Sequence, residues 1–379
     1  MKRAIRGLMW VMLSTALVVM VPRAFAQRPP EKMPDAGLTS ELIELSWDRA
    51  SMPTEVVVAG PRRLIAYSSD PSMRFGALHL TCRSISDSQF GMCPTSDTGE
   101  HGSYVGLVTL QFREMRSGLV TEISVAGWLD RAESGRACND YWQPQPRPLW
   151  TSQATPCPTP ASGTAFSLAI SGSDLGRLVA GAWTSTLRLD LKDESGGVLA
   201  TFEYLFKFTI TDRDAVAIYF PHFDEISPHV GMNLRYDPIT QTVGGGTTVD
   251  MCLYDGLGSQ APYLGVTVRD SGSRTPGPTG FSAWHRDSGG TGDSERLDYN
   301  VTLDYNGAPL PMRNGVEEQL TGIDTAKLKL VVLPGMSQPV FCVDTPLRLE
   351  MPRVPIAEKQ AGYYRGDLKV ELRVPTGVP

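Results

Sequence analysis

The sequence lacks the features that mark membrane, nucleic-acid-binding and zinc proteins. Beyond residue 26, no stretch without charges reaches the roughly 18 to 20 apolar residues that a membrane-spanning helix needs. Lys and Arg number 35 against 41 Asp and Glu, whereas nucleic-acid binding depends on clustered positive charge, so no nucleic-acid partner is expected. The six cysteines include no CxxC pair, which argues against a zinc site and against redox catalysis.

Catalytic patterns are scarce as well. Asp287-Ser288-Gly289-Gly290 is similar to the nucleophile loop of trypsin-like proteases, but such an enzyme also needs a histidine held by an aspartate. None of the five histidines has a flanking pattern for that role. No nucleotide-binding loop and no coiled-coil heptad occurs. We therefore expect no catalytic residue, no metal site and no cofactor.

Residues 1–26 have the pattern of an export signal. A basic start (Lys2, Arg3, Arg6) precedes an apolar core from Gly7 to Val21, and Ala24-Phe25-Ala26 is a small-x-small cleavage site. The segment carries four positive charges and no acids, so its removal would take the formal charge from −6 to −10. About 350 residues would remain, which suggests two domains rather than one.

The six cysteines of an exported chain suggest three disulfides, because the compartment is oxidising. Several pairings are open from sequence alone. Chain order favours two local bridges in the first half, Cys82–Cys93 and Cys138–Cys157. It favours one long-range bridge in the second half, Cys252–Cys342.

Strand patterns run along nearly the whole chain. After a proline-rich lead-in from Gln27 to about Ser40, alternating apolar residues predict several antiparallel pairs. Thr201 to Ile210 has Phe202, Tyr204, Phe206, Phe208 and Ile210 on one face, which is typical of a sandwich core. A polar break at residues 211–214 marks the predicted boundary between domains 27–213 and 214–379. Residues 270–295 are rich in Gly, Ser and Pro and are predicted to form a surface loop. The predicted class is all-β, with two sandwiches in tandem.

The last predicted strand raises the main question about function. From Asp367 to Val374 polar and apolar residues alternate, which places Leu368, Val370, Leu372 and Val374 on one face, with Tyr364 in phase. After Pro375 the printed sequence offers no further strand to pair with it. An ordinary edge strand is one interpretation. The other is an acceptor: a domain one strand short, completed by a different polypeptide.

The region between Cys138 and Cys157 combines aromatic side chains with an arginine. Tyr141, Trp142, Arg147 and Trp150 lie within it, and aromatic rings with a guanidinium suit recognition of a glycan or a protein surface. An equally simple interpretation is that they cover the end of the sandwich.

Several motifs together resemble the family of CblD/CfaE-like pilus biogenesis initiators, the minor tip subunits of cable pili and class 5 fimbriae. The resemblance rests on three segments of the second half, Val249-Asp250-Met251-Cys252-Leu253-Tyr254-Asp255-Gly256, Pro339-Val340-Phe341-Cys342 and Ala361-Gly362-Tyr363-Tyr364-Arg365-Gly366. In the first half it rests on Cys82 with Gly91-Met92-Cys93-Pro94 and on Gly181-Ala182-Trp183 leading into the strand that ends at Lys192.

The resemblance implies an N-terminal adhesin-like domain followed by an immunoglobulin-like pilin domain that lacks its final strand. It implies export through the periplasm to the pilus tip at the cell surface, with the help of a periplasmic chaperone and an outer-membrane usher. The chaperone fills the strand gap first, and the N-terminal donor strand of the major pilin replaces it. The groove would be lined by Tyr364, Leu368, Val370, Leu372 and Val374.

The resemblance also implies a host glycan or protein receptor, but the family's basic receptor positions match poorly. Asp193 and Glu194 follow Lys192 where glycan-binding relatives have basic residues, and Arg74 lies near another basic position of the family. Candidate receptor contacts are therefore Arg74, Lys192 and the four side chains of the Cys138–Cys157 region. The alternatives are an initiator without receptor binding, a periplasmic chaperone and a secreted hydrolase.

Overall fold

The structure is a computed structural model that describes residues 27–375, except for Ile226 and Ser337. The proposed export signal, residues 1–26, lies outside the described residues. Strands dominate, and the described chain contains a single short α-helix, α1 (Gly172–Leu175). Short 3-10 turns lie at Arg49–Ser51, Pro71–Met73, Phe75–Ala77, Arg213–Ala215, Asp293–Glu295, Ile323–Thr325 and Ile356–Glu358. No helix in these ranges is long and apolar enough to cross a bilayer.

The first half of the described chain is built on one extended sheet. Its strands are β1 (Gly37–Asp48), β2 (Glu55–Tyr67), β3 (His79–Thr81), β4 (Gly106–Glu114), β5 (Val120–Glu133), β6 (Arg147–Pro148), β7 (Ala161–Ser171), β8 (Gly181–Lys192) and β9 (Val198–Thr211). Their order is β1–β9–β8–β4–β5–β7–β2, with β3 beside β8 and β6 beside β5. Strand β9 pairs with β8 along one edge and with β1 along the other, and its predicted aromatic face is buried in the apolar core of this half.

The second half divides its strands among four smaller sheets. The strands are β10 (Ala217–Tyr219), β11 (Arg235–Asp237), β12 (Thr242–Val249), β13 (Cys252–Tyr254), β14 (Tyr263–Asp270), β15 (Ser282–His285), β16 (Arg296–Asp298), β17 (Asn300–Tyr305), β18 (Ala308–Pro311), β19 (Glu317–Thr321), β20 (Leu328–Val331), β21 (Val340–Asp344), β22 (Leu347–Pro355), β23 (Tyr364–Arg365) and β24 (Leu368–Arg373).

The four sheets enclose a second apolar core. Their strand orders are β10–β13–β21–β20, β11–β12–β22–β17–β18, β19–β14–β24 and β16–β15–β23. The core is formed by side chains such as Met251, Leu264, Val266, Val268 and Leu303, each with 0 % exposure. The all-β class and the two-domain architecture that the sequence predicts are confirmed.

The two halves share a tightly packed contact region. Arg116, in the turn between β4 and β5, donates hydrogen bonds to three carbonyl oxygens of the second half, Ser259 O (2.6 Å), Ile323 O (2.7 Å) and Ala326 O (2.9 Å). Apolar side chains of β13, β20 and β21, including Tyr254, pack into the core of the first half. The apolar core of the first half therefore continues into the second.

Three parts of the chain differ from the sequence-based prediction. The prediction of a loose lead-in up to about Ser40 is wrong from Gly37 onward, because β1 begins there and pairs in parallel with β9. Strand β7 was not predicted, because it is buried on both faces between β5 and β2 and therefore shows no alternation. The loop predicted at residues 270–295 contains β15, which is anchored by the buried Phe281 and Trp284.

Candidate functional site

The closing strand β24 has one hydrogen-bonded neighbour among the described residues. It pairs antiparallel with β14, and its register places Leu372 opposite Val266 and Val370 opposite Val268. Side chains of directly paired residues lie on the same face of a sheet, so the apolar side chains of β24 face the core. Its other edge has no partner strand within the described chain. That edge exposes main-chain N–H and C=O groups that another strand could bind.

The core-facing side chains of β24 are only half-buried. Leu368, Val370, Leu372 and the following Val374 all pack on the edge of the second core, yet none of them is fully covered. By contrast, Val266 and Val268 on the neighbouring strand have 0 % exposure. Leaving apolar surface in water forfeits about 25 cal/mol per Å², so this row favours a further covering element.

A second row of half-buried apolar side chains packs on the same core from residues 218–232. Phe220, Phe223, Val230 and Met232 all contact it, although the segment between β10 and β11 pairs with no strand among the described residues. Leu234 and Tyr236 continue the alternation of Val230 and Met232, with 43 % and 53 % exposure. We use the name open groove for the two half-buried rows on this core, Phe220, Phe223, Val230 and Met232 together with Leu368, Val370, Leu372 and Val374.

The solvent face of β24 is charged and internally paired. Arg373 forms an ion pair with Glu317 through its Nε and Nη2 atoms. Its Nη1 atom lies 3.1 Å from the Tyr263 hydroxyl oxygen. Glu371 lies 2.8 Å from the Lys369 ammonium group, and this contact lowers the pKa of the Glu371 carboxyl. The charged face fixes which side of β24 points to solvent.

Tyr364, predicted to line the groove, packs on the same core but belongs to a different sheet from β24. It lies in β23, which pairs with β15, and its ring packs edge-on against His285 at 5.4 Å between centroids. Its hydroxyl oxygen is 2.6 Å from the carbonyl of Gln360. The side chain therefore packs on the same core while its polar end is already bound.

Two of the aromatic-loop residues are structural in this fold. Arg147 has 1 % exposure and donates to the carbonyl oxygens of His101 and Gly102 and to Thr155. Trp150 has 8 % exposure, and its indole N–H donates to Glu100 at 2.7 Å. The proposed receptor role of these two side chains needs correction, because burial leaves neither available to a ligand.

Tyr141 and Trp142 are half-buried and more accessible. The segment that contains them runs beside β5, with a hydrogen bond from Gln143 N–H to Arg131 O at 2.8 Å. Arg136 lies over the ring of Tyr141, and Arg62 lies over the ring of Trp142 at 5.2 Å. Of the four aromatic-loop residues, these two keep surface for a partner.

The two basic candidates outside the loop are already paired. Arg74 forms an ion pair with Glu194, the acid that stands where glycan-binding relatives were expected to have a basic residue. Lys192 donates to Thr95 O at 2.6 Å. Asp193 accepts hydrogen bonds from the turn residues Ser195 and Gly197, and these lower the pKa of its carboxyl. The charge of Arg74 is therefore offset by Glu194, whereas Lys192 keeps its charge because its partner is a backbone carbonyl.

The cysteines form Cys82–Cys93, Cys138–Cys157 and Cys252–Cys342, the pairs that chain order favours. Among the described residues, the one grouping of potential metal-binding atoms is Glu133 with Cys138 and Cys157. Both sulfur atoms are in a disulfide, so they are not available as thiolate ligands. The Asp287-Ser288 motif lies in a turn in which Nδ1 of His285 accepts the backbone N–H groups of Asp287 and Ser288.

Two functional features escaped the sequence-based prediction. The row Val230, Met232, Leu234 and Tyr236 alternates along the chain, and that signal could have predicted a strand-like segment whose first two members pack on the second core. The side chain of Arg116 gave no signal, because its partners are backbone carbonyls more than a hundred residues away along the chain.

Comparisons with known proteins agree with this architecture. A family model for the first domain of CfaE, the fimbrial E subunit of CFA/I, matches residues 22–213, and the family model for its second domain matches residues 216–376. The chain is also 28 % identical over 322 residues to the CFA/I fimbrial E subunit of Escherichia coli, covering 81 % of this chain and 82 % of that one.

Solved structures show the same fold. The crystal structure of CfaE, the adhesive subunit of CFA/I fimbria of enterotoxigenic Escherichia coli, superposes with a TM-score of 0.67 at 24 % identity and covers 92 % of this chain and 95 % of its own. A chaperone–tip adhesin complex of CFA/I fimbriae biogenesis gives the same score and identity, and covers 92 % and 99 %.

Proposed function

Since the chain belongs to the CfaE family of fimbrial proteins, we propose that it is a minor pilus tip subunit that accepts a donor strand. The observation that carries the proposal is the open groove. Its two rows of half-buried apolar side chains pack on one core, and β24 leaves a strand edge free among the described residues. An extended segment with alternating apolar side chains would cover both rows and pair with that edge.

The proposed partners follow from this site. A periplasmic chaperone would supply the first covering strand, and the N-terminal segment of the major pilin would replace it at an outer-membrane usher. A relative has been solved in a chaperone–tip adhesin complex, which supports the chaperone as a partner of this chain too. Export by the signal in residues 1–26 would bring the protein to the pilus tip at the cell surface.

The first half is proposed to carry adhesion, as in the relative described as an adhesive subunit. The protein would then be a structural and adhesive protein rather than an enzyme. The predicted domain boundary near residue 213 is part of this proposal. An initiator without receptor binding is a second candidate, favoured by the ion pair between Arg74 and Glu194 that neutralises one basic position.

The test is complementation of the open groove. Fusing the N-terminal segment of the partner major pilin after Pro379 makes the added strand intramolecular, at an effective concentration near millimolar. Four or five buried apolar side chains, each contributing about 1.5 to 3 kcal/mol, would supply on the order of 10 kcal/mol before ordering costs. We expect a soluble monomer with a much higher melting temperature than the unfused chain.

Two matched substitutions on adjacent positions of β24 make the test specific. Leu372→Asp places a charge in the groove and should abolish the stabilisation by the fused strand. Glu371→Gln changes the solvent face and should preserve it. If the unfused chain is monomeric and melts at the same temperature as the fusion, the acceptor proposal is wrong.

A further inference from the structure

Strand β1 leaves one edge of the sheet in the first half unpaired. It is the terminal strand of the order, and it pairs with β9 along its whole length without a register shift. On its other edge, no main-chain group of residues 38–47 is hydrogen-bonded to another segment within the described chain. We use the name β1 edge for this unpaired side. An edge strand of 12 residues with unbound N–H and C=O groups can template pairing with a further strand.

The opposite end of the same sheet is protected against such pairing. Strand β2 shifts register against β7 at three places, and it contains Pro61, which has no N–H to donate. Gly60 and Arg62 have positive φ angles, so the backbone on either side of Pro61 departs from a regular strand. Bulges and proline are devices by which natural sheets prevent edge-to-edge pairing. Strand β1 contains no proline, no lysine or arginine and no register shift, so its edge is open to pairing.

Both faces of β1 become less covered toward this edge. On the outer face, Leu38 and Leu42 are each more than half exposed. On the inner face, Leu45 is 38 % exposed, although the β9 residue opposite it, Phe208, is 1 % exposed. A further strand beside β1 would therefore remove apolar side chains from water on both faces.

Two copies of β1 can pair with each other, and their charges select the alignment. Identical antiparallel strands related by a two-fold axis perpendicular to the sheet keep each face on its own side, so outer residues meet outer residues. An axis through Glu41 or Glu44 would set identical acids opposite each other, which destabilises a strand pair. An axis through Ile43 would set both acids opposite leucines. The axis that remains near the middle of β1 passes through Leu42.

An axis at Leu42 suits the outer face. Leu42 then lies opposite itself and beside Leu205 of each β9, so four leucines form a continuous row across the joined sheet. Leu205 is itself partly exposed, which leaves room for this contact. Next to that row, Glu44 lies between Lys207 of its own β9 and Ser40 of the other copy. No acid of one copy lies directly opposite an acid of the other.

The inner face is compatible with the same axis. Leu45, the exposed leucine of this face, lies opposite Thr39 of the other copy and becomes covered. Glu41 lies opposite Ile43, but its carboxylate is already ion-paired with Arg63 of β2 at 2.5 Å. The pairing therefore adds no unpaired charge to this face.

We propose that two copies of this chain associate through their β1 edges, antiparallel and about a two-fold axis at Leu42. Residues 37–47 of each copy pair, so that the two sheets become one and about ten main-chain hydrogen bonds form. The contact closes with two copies, because each β1 edge is then used up. The proposal goes beyond donor-strand acceptance, since it concerns the other half of the molecule and a different strand edge.

The geometry fits a contact between two pilus tips. Asp48 pairs with Thr211 at the end of β1 from which the chain continues into the second half. Because the two β1 strands are antiparallel, these ends lie at opposite ends of the joined sheet. The two second halves therefore leave the sheet at opposite ends. Given the proposed position at the tip, the dimer holds two first halves together and increases avidity for any surface that both can contact.

The first experiment measures the mass of the full chain by sedimentation equilibrium, with and without the fused donor strand that closes the open groove. We expect a concentration-dependent dimer in both cases. Leu42→Lys sets two ammonium groups against each other at the axis and should raise the dissociation constant by about tenfold or more. Leu107→Lys, at a similarly exposed position of β4 inside the sheet, is the matched control and should leave it unchanged.

The second experiment tests the alignment by cross-linking under mild oxidation. In Leu42→Cys the two introduced residues are directly opposite, with Cβ atoms about 4.5 to 5.5 Å apart, and should form an intermolecular disulfide. In Leu38→Cys the two introduced residues are separated by about 26 Å along the strands, so no such bridge should form although this position is the more exposed one. Melting temperatures identify any variant that fails to fold, and the smaller change Leu42→Cys then decides.

Three results would overturn the proposal: a monomer at all concentrations, a dimer that Leu42→Lys leaves unchanged, or equal cross-linking of Leu42→Cys and Leu38→Cys. A monomer whose gain in melting temperature from the fused strand is lost in Leu42→Lys would instead assign the β1 edge to the donor strand. A chain that cross-links through Leu42→Cys but gains no stability from the fused strand refutes the acceptor role alone. A chain that gains stability and stays monomeric refutes the dimer alone.

Discussion

The two halves of the molecule end in strands with the same sequence pattern and different surroundings. Strand β9 has 14 residues and lies between β8 and β1, and its inward side chains from Phe202 to Ile210 have at most 6 % exposure. Strand β24 has six residues and pairs only with β14 among the described strands, and its inward side chains are half-buried. An alternating pattern identifies the face that turns inward. It does not reveal whether a neighbouring strand completes the cover.

The difference has a structural origin in β1. In the first half, residues 37–48 run parallel to β9 over their whole length and cover its edge. In the second half, the corresponding edge of β24 meets no such strand within the described chain, and the segment between β10 and β11 stays unpaired. The first half therefore supplies its own covering strand, which is the element that we propose the second half takes from a partner.

The largest expected effect concerns the disulfide of the incomplete half. Cys252 and Cys342 are 90 residues apart, and chain-entropy arguments give such a bridge about 4 to 5 kcal/mol. Replacing both by alanine should unfold the uncomplemented chain near body temperature, as measured by thermal denaturation. The fused donor strand should restore a folded protein. If the double variant melts like wild type without a donor strand, the second half is more complete than the groove suggests.

The next prediction compares the two closing strands directly. Phe206→Ala removes a fully buried ring and should cost about 3 to 5 kcal/mol, with or without a donor strand. Val370→Ala removes a half-buried group and should cost less than about 1 kcal/mol in the uncomplemented chain. Its cost should rise once a donor strand covers it. Chemical denaturation of wild type and both variants, each with and without the donor strand, tests this, and equal costs for Val370→Ala in both states would contradict the comparison.

The sequence predicts a strand well where one of its faces is exposed to solvent, because polar and apolar residues then alternate. Period-two alternation predicts which faces of β9 and β24 turn inward. It does not predict that the inward face of β9 is fully buried and that of β24 only half-buried, because burial depends on strands far away along the chain. The β7 segment was missed because both of its faces are buried. Arg147 was a candidate receptor contact, and its burial fits the alternative that it covers the end of the sandwich, since sequence alone does not show that backbone carbonyls enclose it.

A further prediction tests how strongly the complete half supports the incomplete one. Arg116→Ala would leave the carbonyls of Ser259, Ile323 and Ala326 without their donor, at a cost of about 1 to 3 kcal/mol. We expect a lower melting temperature and a separation of the unfolding curve into two transitions. Arg113→Ala, at an exposed position on the same β-hairpin, is the control and should change neither. A single unshifted transition in Arg116→Ala would show that apolar packing alone joins the halves.

The smallest expected effect is a pH dependence confined to the complete half. His79 has 1 % exposure, and burial lowers the pKa of its imidazole. The unfolded chain therefore binds this proton more readily than the folded one, so stability should fall as pH drops below about 6.5, the value of an unperturbed histidine. His79→Gln should reduce the slope of melting temperature against pH between about 6.5 and 5. His79 lies in β3, which pairs with β8 in the sheet of the first half, whereas the open groove lies on the core of the second half. The effect should therefore persist when a donor strand is bound. An effect that vanished on complementation would instead place the acid-sensitive step in the second half.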